Sequence, residues 1–172
     1  MSALLRAAGY WLLALIIAGG YGIMLMAFVQ SSFRERQLEQ LAGADQTTLV
    51  CGLAAITTVL FTWQLISMVS FSGLLQRILF SLATHLILFA ALGGVFVIVF
   101  NILTKSDPIK TTWWQWLVHG FYWDSVNGFY AFAIFVIGEL KLEIIGLFFA
   151  TSIAIAILAP WKLTPSTNFG RI

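Results

Sequence analysis

Three apolar runs, residues 8–29, 49–71 and 78–103, constrain this chain more than any other feature. None contains an Asp, Glu, Lys or Arg. Each matches or exceeds the roughly 20 residues that carry an α-helix across the hydrocarbon core of a bilayer. Backbone polar groups in lipid must be satisfied internally, and a helix does this within one segment. The composition agrees: 60% of the 172 residues are hydrophobic and 9% are charged, whereas a soluble domain carries about 25% charged residues. A chain this short cannot bury so much apolar surface in one water-soluble core. The expectation is an all-α, polytopic transmembrane helix bundle forming a single integral membrane domain over residues 1–172.

Arg6 ahead of the first run resembles the start of a secretory signal. The apolar stretch that follows is long enough to span, however, and lacks a small-x-small cleavage site. It reads as a first transmembrane helix. The polar stretch SSFRERQLEQLAGADQTT follows it. There Ser31 or Ser32 is expected to cap a short separate helix, supported by Arg34, Glu35, Arg36 and Glu39 at helical spacings and ended by Gly43. SFSG at 70–73 breaks the second run from the third, and Arg77 marks the membrane interface.

The last third admits two readings. After a loop around Pro108, residues 113–138 are mostly apolar but carry His119, Asp124 and Asn127. With a turn at 139–143, this gives five spanning helices at about 8–29, 49–71, 78–103, 113–138 and 144–160. The alternative is four spans plus an interfacial helix over 113–121, with Asp124 or Ser125 capping a long helix that runs to 159. A continuous helix would put Glu139 and Glu143 in an unfavourable like-charge i,i+4 pair, so five spans are expected. In that arrangement Arg6, Arg77 and Lys141 lie on one side of the membrane. Arg34, Arg36, Lys105, Lys110, Lys162 and Arg171 lie on the other. The positive-inside rule then puts the N-terminus outside and the C-terminus in the cytoplasm, in a bacterial inner membrane.

The residues offer little for catalysis. Charges are scattered, so nucleic acid has no electrostatic footprint to meet. The lone Cys51 excludes an internal disulfide and reads as a small hydrophobe. His85 and His119, on adjacent antiparallel helices, would sit about 20 Å apart and could not share one haem iron. His, Cys and carboxylates are not clustered as zinc requires. Ser125, Asp124 and His119 have the types of a nucleophile, acid and base, but His119 and Asp124 are about 140° apart around a helix. No catalytic residue, cofactor or metal is therefore assigned. Asp124 is the ionisable group of most interest, because a charge within a span is costly and usually functional. With Asn127, His85, Gln64 and Asn101 it forms the set of candidate intramembrane polar contacts. Small residues at four-residue spacing, Ala18 and Gly22, then Ala54, Thr58 and Thr62, favour close helix approach, and Ala90, Ala91, Gly93 and Gly94 form a further cluster. Trp11, Trp113, Trp114, Trp116 and Trp161 fall at helix ends, as in an aromatic belt.

The functional expectation follows by subtraction. It is a non-catalytic integral membrane subunit whose partners are the lipid bilayer and other membrane subunits of a larger energy-transducing, transport or secretion complex. The alternative is a small homo-oligomeric transporter or channel with Asp124, Asn127 and His85 along its path. A haem- or quinone-associated anchor comes last.

Overall fold

The computed structural model describes residues 3–35, 44–105 and 142–163. They form α1 (Ala3–Glu35), α2 (Ala44–Met68), β1 (Ser70–Phe71), α3 (Leu74–Lys105), α4 (Leu142–Leu158) and β2 (Lys162–Leu163). Three of the helices are long and apolar enough to cross a membrane, over Leu5–Ser32, Thr48–Met68 and Leu74–Phe100, and α4 is a shorter apolar helix. The expected span at 113–138 lies outside the described residues, as do Asp124, Asn127 and His119.

The helices outrun their apolar cores. α1 extends from 3 to 35 and α3 from 74 to 105, against the expected 8–29 and 78–103, because hydropathy marks where lipid ends and not where helical hydrogen bonding stops. Ser31 and Ser32 therefore do not cap a separate helix. Within the last turns of α1 their hydroxyls donate back to the Phe28 carbonyl at 2.9 and 3.0 Å, a common use of serine inside a helix. α2 stops at Met68, short of the expected 71, because the chain there turns into β1. α3 then opens with Gln76 reaching back: its Oε1 accepts from the Ser72 N–H at 3.2 Å and the Ser72 hydroxyl at 2.8 Å. This ties the residue ahead of the cap to the first turn of α3, much as a capping box does. Pro160 follows α4 by two residues and cannot extend its hydrogen-bond ladder.

Successive contacts show how the helices run. Along α1, Gly22 and Met26 meet Ile56 and Gly52 of α2, and near the α1 start Tyr10 and Trp11 share a cleft with Trp63 and Gln64. α1 and α2 are thus antiparallel. Along α3, positions 77, 81 and 85 meet Ala159, Ser152 and then Phe148, so α3 and α4 are antiparallel too. The starts of α1 and α3 and the ends of α2 and α4 consequently share one end of the bundle, where β1 pairs in parallel with β2 (Ser70 with Lys162, Phe71 with Leu163). This corrects the expected placement of residues 6 and 160 at opposite ends.

The α1–α2 seam is built from small residues. Ala14, Ala18, Tyr21, Leu25 and Val29 make a buried stripe on α1, against Val50, Cys51, Ala55 and Val59 of α2. A Cβ placed on Gly22 would fall 2.6 Å from Ile56 Cγ1 and 3.2 Å from the Gly52 carbonyl oxygen, and one on Gly52 would collide with the Met26 side chain. The small-residue spacing at Ala18 and Gly22 is therefore a packing feature. The 90–94 cluster divides instead, with Ala90 and Ala91 exposed and Gly93 and Gly94 buried. Gly22→Leu is expected to lower stability in detergent by about 1–3 kcal/mol, the usual cost of overpacking a close contact. Gly20→Leu, at an exposed position with open space around it, should leave it unchanged. Melting curves followed by size-exclusion chromatography compare the two.

Candidate functional site

α3 carries three polar side chains, Arg77, Ser81 and His85, at i, i+4 and i+8. This spacing puts them on one face of a helix, and all three are fully buried. α4 lies over that face. Its most polar buried position, Ser152, is used twice. The Ser81 hydroxyl donates to the Ser152 carbonyl at 2.7 Å, and the Ser152 hydroxyl pairs with His85 Nδ1 at 3.1 Å. The imidazole is also held between rings, 5.2 Å from Tyr21 and 4.7 Å from Phe148, in edge-to-face geometry with both. His85 therefore ties α1, α3 and α4 together. Its Nε2 has no hydrogen-bond partner among the described residues.

Arg77 closes the seam. Its Nη2 donates to the Ala159 carbonyl at 2.5 Å and the Pro160 carbonyl at 3.3 Å. Those groups follow the last turn of α4, where the helix leaves carbonyls without intrahelical donors and its macrodipole favours a cation. The guanidinium lies 4.5 Å from the Trp161 ring centre and 5.9 Å from that of Phe71. Arg77 is thus at the bundle end, as the sequence suggests, but it is sealed inside protein and not an exposed interface marker.

Only one member of the sequence-derived set, His85, falls in this seam. Gln64 is exposed near the end of α2, with its Nε2 3.8 Å from Met68 Sδ, and the structure does not bring it to His85. The Asn101 side chain, Asp124 and Asn127 lie outside the described residues. Sequence reasoning missed Ser152 as the partner of His85, and Arg77 and Ser81 as members of the same seam. The available signal was the 77–81–85 spacing, a polar stripe on a helix otherwise filled with Leu, Ile, Phe and Val.

Chemically the seam is a clamp. Ser152 and His85 have the residue types of a nucleophile and its base, and both are fully buried. Among the described residues no group of three or more His, Cys, Asp or Glu side chains could hold a metal ion. Comparison with protein-family models, curated proteins and solved structures finds no match for this chain.

The clamp makes a quantitative prediction. A double-mutant cycle with Ser152→Ala and His85→Phe is expected to give a favourable coupling of about 0.6 kcal/mol and no more than about 1.7, the range of hydrogen bonds between membrane helices. Equilibrium unfolding in mixed micelles measures it, and additive single effects would contradict the bond.

Proposed function

We propose that the chain is a non-catalytic integral membrane subunit that packs against partner subunits of a larger membrane complex. The observation that supports this most is how α3 divides its two faces. Its polar stripe is turned inward onto α4, while Leu75, Leu79, Leu86, Ile87, Val95 and Val99 stand exposed on a long apolar surface. α1 adds Leu12, Leu15, Ile16 and Ile23. In a bilayer such faces meet lipid tails or other helices, and between helices packing is the main attraction. Arg77, Ser81, His85 and Ser152 hold this chain's own helices together. The transporter alternative gains nothing from them, since the sealed His85 and the exposed Gln64 share no cavity.

The common end of α1 and α4 bears on orientation. Because the start of α1 and Lys162 lie at one end of the described bundle, Lys162 no longer counts on the side opposite Arg6 in the six-against-three charge bias. The positive-inside rule then no longer selects an orientation strongly. The complex-subunit reading is tested by mass spectrometry of assemblies extracted intact from native membrane in mild detergent. At least one further membrane polypeptide is expected to accompany the 19.1 kDa chain. Assemblies containing this chain alone would contradict the proposal and favour a homo-oligomer.

A further inference from the structure

A cleft of about 410 Å³ opens at the end of the bundle that holds Arg77, between the start of α1 and the end of α2. Arg6, Tyr10, Trp11, Gln64 and Ser67 line it over the buried Trp63, and Pro160 forms part of its wall. We propose that this cleft seats the phosphate of an anionic phospholipid headgroup. The inference does not depend on the complex-subunit reading.

Three observations carry it. First, the cleft lies at the ends of two helices long and apolar enough to span, which is where headgroups would meet them. Its walls come from the termini of two membrane-spanning helices, Leu5–Ser32 and Thr48–Met68, and its aromatic members are the types that gather at that depth. Second, its electrostatics are one-sided. Arg6 is an exposed cation on the wall. Behind Pro160 stands a second cation, because the Pro160 carbonyl accepts from Arg77. The acidic residues of the described helices, Glu35, Asp45 and Glu143, all fall in end turns on the opposite side of the bundle. No described carboxylate is placed to neutralise Arg6. Third, the wall combines a guanidinium with neutral donors from Gln64, Tyr10 and Trp11, the Ser67 hydroxyl being taken by the Trp63 carbonyl at 2.7 Å. A phosphate diester accepts several such hydrogen bonds, and its acyl chains can continue down the apolar outer faces of α1 and α2, where Leu12, Leu15 and Phe61 are exposed. A guanidinium suits phosphate through paired, charge-assisted hydrogen bonds.

The test is native mass spectrometry of the full-length protein in micelles holding equal amounts of phosphatidylglycerol and phosphatidylcholine. The wild type should retain the anionic lipid about fivefold over the zwitterionic one, the effect of roughly one cation near a lipid phosphate. Arg6→Gln should bring the ratio close to one, and Arg6→Lys should keep most of it. Folding of each variant is checked by its size-exclusion profile, and the lysine variant separates loss of charge from loss of side-chain packing. Equal retention of the two lipids by the wild type, or an unchanged ratio in Arg6→Gln, would overturn the proposal. So would displacement of the bound lipid by millimolar inorganic phosphate, which would mark a site for free anions.

Discussion

The seating of Arg77 on the end of α4 is the interaction on which the arrangement of the described helices depends. An arginine costs about 2.5–3.5 kcal/mol on insertion scales at the centre of a membrane-spanning helix, and less toward its ends, where Arg77 lies. Two hydrogen bonds from Nη2, a helix C-terminus and an indole ring recover part of that cost, at roughly 1.5–3 kcal/mol for one charged hydrogen bond and about 0.5–2 for the ring, while Nε and Nη1 are buried with no hydrogen-bond partner among the described residues. These compensations exist only if α4 ends where Arg77 waits. The register of α4 on α3 is therefore fixed at one end by charge. Seven or so residues back along α4, Ser152 meets Ser81 and His85 and fixes it again. Two polar contacts a turn or more apart determine both the position and the direction of a helix.

The two halves of the bundle solve the same problem differently. In lipid, exchanging one apolar neighbour for another gives little driving force, so helices need close packing or polar contacts to recognise each other. α1 and α2 use close packing through Gly22 and Gly52, where backbone and side chain approach too closely for a Cβ. α3 and α4 use polar contacts. Tyr21 joins the two systems, since it belongs to the buried stripe of α1 and its ring lies against His85. The result concentrates polarity inside and leaves large apolar side chains outside, the reverse of a water-soluble protein. This is the physical basis for reading the outer faces as surfaces for lipid and partner helices.

Much of this was legible in the residues. Uninterrupted apolar runs identified three spans, and small residues at 18 and 22 anticipated the close approach of α1. His85 stood out because a histidine within a span needs a partner. The polar groups of its seam were hidden for a simple reason. Ser81 and Ser152 are unremarkable one at a time, and Ser152 lies 67 positions from His85. Arg77 was misleading because an arginine at the edge of an apolar run ordinarily faces headgroups. Only the carbonyls of residues 159 and 160, supplied by a distant segment, make its burial affordable. The start of α1 and the end of α4 were expected at opposite ends because local hydropathy counts crossings one by one, whereas the direction of α4 is set by contacts across the bundle.

The central claim is that this clamp holds α4 antiparallel to α3, and single-cysteine labelling tests it directly. With Cys51 replaced by alanine, cysteines are introduced one at a time for Gly73, Leu142 and Lys162, and sealed vesicles of one orientation are treated with a membrane-impermeant maleimide. The account predicts that positions 73 and 162 label from the same side and position 142 from the other. Labelling of 73 together with 142, and of 162 from the opposite side, would contradict it.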